Sequence, residues 1–294
     1  MKKSIVLFIV TIIFIFQGCS AKEDSPVNTD NSAGKDVTET PEATEAAKVT
    51  EAVKATASPV PKKELVLPTT VNNTGKVLIQ TVSKNSVYKY NSYIITSING
   101  ESVVVDPTEM PKKEIVDINP AAIISTHSHP DHVNNSYNAT YDVPKLLFKK
   151  GEIDTKDFHI YNISSSHYSD KIDDSNFMTV FEVDGLRIVH MGDIGQTTLT
   201  EEQLKDLGEI DIAFMQFDNS YSSMSVENMK GFNLIEQLNP KIVIPTHSND
   251  DCDAKLKEKY GDITEYDNIL EISKEDLPED SLNVYRILNN HIYE

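Results

Sequence analysis

The sequence predicts a mixed α/β domain running from Leu65 to Glu294, on three observations. Short apolar runs come first in pairs joined by turn dipeptides. Later runs alternate with stretches of helical period. Between Ala21 and Glu64 almost no large apolar side chain is available to build a core. Among its 294 residues the chain carries 46 acidic and 27 basic side chains, a net charge of −19, with most of the excess after Leu65. A surface of that sign repels phosphate backbones, and no run of three consecutive Lys or Arg supplies a basic patch, so nucleic acid is not an expected partner.

Val77 to Val82 and Tyr93 to Ile98 read as strands, and Asn99-Gly100 as the hairpin turn into a third, Ser102 to Asp106. Ala121 to Ser125 is a short, apolar run that suits a strand buried on both faces. A second hairpin follows, Asn176 to Glu182 and Leu186 to His190 around Asp184-Gly185, and Asp211 to Phe217 and Lys241 to Ile244 are further strands. Thr200-Glu-Glu-Gln opens a helix that Gly208 closes. Ser225 to Leu238 reads as another, with Val226, Met229, Phe232, Ile235 and Leu238 on one face until Asn239-Pro240 stops it. Segments 134–156 and 250–294 carry no legible chemistry and are expected to shape the pocket.

The N-terminus reads as an address. Lys2 and Lys3 precede a thirteen-residue stretch, Ser4 to Phe16, in which only Ser4 and Thr11 are polar, short for a membrane span. Gln17-Gly18-Cys19-Ser20 follows and resembles the lipobox of bacterial lipoproteins, though Phe16 and Gln17 depart from its usual residues. The expectation is a lipoprotein signal over residues 1–18, lipidation of Cys19, and a protein anchored on the outer side of a bacterial cell membrane. An ordinary secretory signal or an uncleaved anchor is the alternative. Residues 19–64, rich in Thr, Glu, Ala and Pro, read as a disordered tether, leaving 65–294 as the folded domain. Cys19 and Cys252 are the two cysteines, so a lipidated Cys19 leaves no intramolecular disulfide.

The histidines carry the chemistry. Thr126-His127-Ser128-His129-Pro130-Asp131-His132 follows the apolar run 121–125 directly. Eight histidines in 294 residues rarely place three within six positions by chance, and imidazole with carboxylate is what zinc and similar divalent ions accept. His127 and His129, at i and i+2, suit one ion; Asp131 and His132, entering the next turn, suit another. Further donors end other runs: His167 after Asn162 to Ser166, Asp193 in His190-Met191-Gly192-Asp193, and His247 in Pro245-Thr246-His247. His159 stands near enough to compete with His167. His190 is placed to support Asp193 or its loop, or to touch substrate. Cys252 reads as a small buried residue more than as a ligand.

These motifs together resemble the metallo-β-lactamase-fold hydrolases over Val77 to His247, and among them most the ascorbate-6-phosphate lactonase-like branch. The resemblance implies a four-layered αββα sandwich holding two divalent ions, with zinc favoured and manganese or iron fitting the same ligands. It places His127, His129 and His167 on one ion, Asp131, His132 and His247 on the second, and Asp193 as the bridge. Asp193 stands where the drug-resistance lactamases of the fold commonly have cysteine, and His129 where di-iron flavoprotein relatives have glutamate. The segment Met215 to Asn219 departs from the lactonase pattern, so ascorbate phosphate does not transfer as substrate. The expected activity is hydrolysis of a small ester, lactone or phosphoester by a metal-bridging hydroxide, with Asp131 orienting it and moving a proton. No G-x-S-x-G nucleophile motif competes. The alternatives are a surface lipoprotein that binds metal without turnover and, opposed by the charge, an extracellular nuclease.

Overall fold

Alternation along each strand sorts the apolar residues of this protein into layers. The computed structural model describes residues 64–83 and 90–293. The leader, Cys19 and nearly all of the tether lie outside them. In chain order the elements are β1 (Val77–Thr81), β2 (Tyr93–Thr96), β3 (Ser102–Val105), β4 (Ala122–Ser125), α1 (Asn135–Thr140), β5 (Lys145–Leu147) and β6 (Glu152–Asp154). Next come β7 (Phe158–Ser165), β8 (Asn176–Val183), β9 (Leu186–His190), α2 (Glu201–Leu207), β10 (Ile212–Met215) and α3 (Lys230–Leu238). The last are β11 (Ile242–Pro245), α4 (Asp250–Tyr260), β12 (Ile263–Asp267), β13 (Ile269–Ile272) and β14 (Asn283–Leu288). A six-stranded sheet runs β13-β1-β2-β3-β4-β5, and an eight-stranded sheet runs β12-β14-β11-β10-β9-β8-β7-β6.

On β2 to β4, Tyr93, Ile95, Val103, Val105, Ala122 and Ile124 point between the sheets, where they meet Ile188, Phe214, Ile242 and Ile244 of the other sheet. The intervening Ile94, Val104 and Ile123 face outward onto Tyr137 and Tyr141 at α1. On the far side Val189, Ala213, Met215 and Val243 pack under Leu207 of α2, Phe232 and Ile235 of α3 and Leu256 of α4. Every strand that supplies these residues is covered on both faces, which is why its sequence is continuously apolar. The layers are therefore helix, sheet, sheet, helix, the αββα sandwich of the sequence-based expectation.

Local sequence explains the connections. Asp184 and Gly185 both take positive φ (47° and 80°) in a two-residue turn between paired Val183 and Leu186. The first hairpin is longer than the Asn99-Gly100 signal implied: Ser97 N–H bonds Glu101 O at 2.8 Å, closing a three-residue loop with Gly100 at φ 88°. Helix α2 begins with a full capping box of Thr200 and Gln203 and ends at Gly208. Helix α3 starts at Lys230, five residues later than the periodicity suggests, because Asn228 Oδ1 accepts from both Ser225 N–H and Lys230 N–H and Met229 adopts φ 56°. Side-chain hydrogen bonding by Asn228 outcompetes the first helical turn. Helix α4, not anticipated, carries little apolar periodicity and rests on caps instead: Asn249 accepts from Cys252 N–H, three aspartates occupy its first turn, and Lys257 and Lys259 its last.

No helix among the described residues is long and apolar enough to cross a membrane.

Candidate metal centre

Four strand ends on one rim of the two sheets deliver the histidines and aspartates. β4 runs into His127, β7 into His167, β9 into Asp193 and β11 into His247, with β9, β10 and β11 parallel. Two groups form there. The first is His127, His129, His167 and Asp193; the second is Asp131, His132, Asp193 and His247. Within each, one donor atom per residue lies within 4.8 Å of all the others.

Asp193 belongs to both groups, and its two oxygens divide between them. Oδ2 lies 3.6 Å from His127 Nε2 and 3.5 Å from His167 Nε2; Oδ1 lies 3.3 Å from both His132 Nε2 and His247 Nε2. Asp131 Oδ2 stands 3.4 Å from His132 Nε2 and 3.7 Å from His247 Nε2. His127 Nε2, His167 Nε2 and Asp193 Oδ1 are buried without a hydrogen-bond partner, an arrangement that costs stability unless something else binds them. Buried, convergent imidazole nitrogens with a shared carboxylate fit two divalent ions, three side chains on each plus the common aspartate.

The surroundings hold this set in place. Gly192, at φ 58°, lets the chain pass so close to its neighbours that a Cβ would meet Asn176 Oδ1 at 2.3 Å. Asn176 Oδ1 in turn accepts from Asp193 N–H at 2.9 Å. Asp106, wholly buried at the end of β3, accepts from Thr126 N–H (2.7 Å), the Thr126 hydroxyl (2.8 Å) and His132 Nδ1 (2.8 Å). The last bond fixes the His132 ring and leaves Nε2 free toward the second group. Asn219 Nδ2 donates to Asp193 Oδ2 at 2.7 Å, and Asn91 Nδ2 to Asp131 O and Oδ2 at 3.2 and 3.4 Å. Asp106, Asn219 and Asn91 were not singled out by the sequence. For Asp106 a signal existed, an acid ending a run of three valines; for the two asparagines none did.

Burial and neighbouring charge set the protonation of the metal-free site. For Asp193 burial pulls upward, but the His132 charge and the close approach of the His132, His167 and His247 rings hold the carboxyl well below its usual range. Burial opposes charging of His132 too, yet Asp193 and Asp106 raise it well above the ordinary imidazole value. His127 is pushed down to about 3 by burial and then by His132. Asp131 falls to about 2, with burial opposing and His132 lowering it. Asp193, Asp131 and His127 are thus unprotonated at neutral pH, the state a metal requires, whereas His132 has a proton to give up.

His190 lies in neither group. Its Nδ1 accepts from Gly192 N–H at 3.1 Å and its ring stacks 5.3 Å from Phe214, so it buttresses the loop that presents Asp193. His159 is turned away, with Nδ1 2.6 Å from Asp154 of the edge strand β6. Cys252 is buried in the first turn of α4, its thiol raised by burial, and joins neither group.

A pocket of about 400 Å³ opens on the centre, lined by His129, Pro130, Asp131, Tyr168, Asp193 and Tyr221. A neighbouring cavity of about 420 Å³ shares His247 and is bordered by Asn91, Ser248 and Arg286. Segment 134–156 lines neither, whereas Asp250, Asp253 and Arg286 of segment 250–294 line the second.

The model of the β-lactamase superfamily domain matches residues 86–247, more than half of the chain and the stretch that contains every candidate ligand. The chain belongs to the β-lactamase superfamily. A Thermotoga maritima protein described as a Zn-dependent hydrolase of the metallo-β-lactamase superfamily is similar at 20 % identity and TM-score 0.52, over 72 % of this chain and 100 % of that one. A Parabacteroides distasonis protein described as a metal-dependent hydrolase is 23 % identical, with TM-score 0.44, over 62 % and 87 % of the two chains. No curated protein matches the sequence. Within the superfamily fold, the first of these likenesses agrees with the sandwich described above. The geometry of the centre rests on this chain's own residues.

Proposed function

We propose that this protein is a binuclear metal-dependent hydrolase of small esters, lactones or phosphoesters. The observation that carries the proposal is the division of Asp193, one oxygen to each of two buried histidine groups that have donor atoms to spare. His127, His129 and His167 would hold one ion, Asp131, His132 and His247 the other, with Asp193 between them; zinc suits this donor set, and manganese or iron accept it. Bound there, the ions supply water activation near neutral pH and electrophilic pull on the scissile oxygen.

The chain's own residues do the rest. Asp131, a fifth exposed and held by Asn91, reaches into the pocket with one carboxylate oxygen and is placed to move a proton toward the leaving group. Asp106 keeps His132 in the tautomer that offers Nε2, Asn219 keeps the Asp193 carboxylate from rotating, and Asn176 holds the Asp193 backbone. Lipidation at Cys19 and display on the outer side of the membrane belong to the same proposal and rest on residues 1–20. A Cys19→Ala chain should then leave the membrane fraction, while continued retention would reject the anchor.

Metal analysis of the purified protein, coupled to a screen of esters, lactones and phosphodiesters, tests the activity. The expected result is two equivalents of metal and turnover of at least one class that chelation abolishes. Stoichiometric metal with strong thermal stabilisation but no turnover would make it a metal-binding lipoprotein instead.

A further inference from the structure

Two large aromatic side chains stand in water at the mouth of the metal pocket. Tyr168 is 57 % exposed and Tyr221 77 % exposed, and both line it. Exposed aromatics gathered at one concavity mark a binding surface more often than scattered ones do.

Neither ring is loose. Tyr168 packs 4.4 Å from the His167 ring, and its hydroxyl lies 3.3 Å from His129 Nε2. Tyr221 stands edge-on to His129 at 6.4 Å and sits in a short 3-10 turn, Ser220–Ser222. Asn219 caps that turn: its Oδ1 accepts from Tyr221 N–H at 3.0 Å while its Nδ2 donates to Asp193 Oδ2 at 2.7 Å. One amide therefore ties the outer wall of the pocket to the carboxylate at its floor. Among the described residues no Lys or Arg lines the pocket, and the two carboxylates there, Asp131 and Asp193, are both committed to the metal groups.

We propose that Tyr168 and Tyr221 form a clamp for an uncharged aryl group attached next to the scissile carbonyl, so that the preferred substrates are arylacetyl-type esters or lactones. The inference rests on the hydrolase reading and narrows its substrate class. A flat ring between two tyrosine rings gains offset or edge contacts in addition to burial, and Pro130 extends the apolar wall. Among the described residues of this wall an anionic substituent finds no side-chain cation. A substrate without the ring loses the clamp as a whole, which needs both tyrosines, and binds roughly tenfold more weakly.

The test is direct binding of non-hydrolysable amides to the metal-loaded full chain, read by ligand-observed NMR. Phenylacetamide should bind about tenfold tighter than acetamide. The preference should shrink to near parity in Tyr221→Ala and return in Tyr221→Phe, with metal content constant in all three proteins. Because the Tyr221 ring is solvent-exposed, its removal leaves the core intact. Equal binding of the two amides, or a preference that survives Tyr221→Ala, overturns the clamp. So does tighter binding of betaine amide than of its neutral isostere 3,3-dimethylbutanamide, which would make the rings a cation site. The two readings fail separately. Ester turnover with no aryl preference removes the clamp and leaves the hydrolase; aryl preference with no turnover of any ester removes the hydrolase and leaves the clamp.

Discussion

Asp193 and Asp211 are both buried carboxylates, placed at opposite ends of neighbouring parallel strands. Asp193 follows β9 on the metal rim; Asp211 precedes β10 at the other end. Asp211 is fully answered within the fold. Lys274 Nζ lies 2.6 and 2.7 Å from its two oxygens, and Arg187 N–H donates to Oδ2 at 2.9 Å. Asp193 meets four imidazoles at 3.3–3.6 Å and keeps Oδ1 without a hydrogen bond. The same residue type at similar depth serves two purposes. Where the fold supplies the counter-charge, the carboxylate closes a corner of the structure. Where the fold withholds it, a cation from outside has a place to bind.

Four substitutions sharpen or break that contrast. Asp193→Ala should have the largest effect, lowering bound metal and abolishing turnover together, because one side chain serves both groups. Unchanged metal stoichiometry by elemental analysis would contradict the bridge. Asp106→Asn removes a carboxylate behind His132 without touching either ion, and metal affinity should fall about 10–100-fold by chelator competition. Asp211→Ala should leave metal content unaltered while costing about 1–3 kcal/mol in urea unfolding, because the Arg187 N–H loses its acceptor. A loss of metal in that variant would erase the distinction between the two ends. His159→Ala should do least: its ring is paired with Asp154 on an exposed edge, so stability should move by no more than about 0.5 kcal/mol and metal content by nothing.

The contrast also explains what was readable in advance. Thr126 to His132 announces itself because a short stretch at a strand exit carries four donors, a local pattern that needs no folding to be seen. His167 and His159 were harder to separate: His159 lies on β7 and His167 just beyond its end, and only the placement of that strand shows that one sits inside the rim while the other faces water. Asp106 acts on His132 across 26 residues, Asn219 on Asp193 across 26, and Asn91 on Asp131 across 40. None has a neighbour in sequence that shares its task. Helix α4 escaped for another reason, since its stability comes from caps and from charges matched to its dipole, while only Cys252 and Leu256 are buried.

The order of residue types along this chain by itself determined the mixed α/β class, the Asp184-Gly185 turn, and which histidines and aspartates stand at strand ends, because strand period and turn chemistry are local properties. Only the tertiary structure decided that Asp193 turns one oxygen to each histidine group, that Asp106 and Asn219 brace the centre from behind, and that two tyrosines from distant loops face one pocket. Those facts depend on the relative placement of strands from two sheets, which no short stretch of sequence encodes.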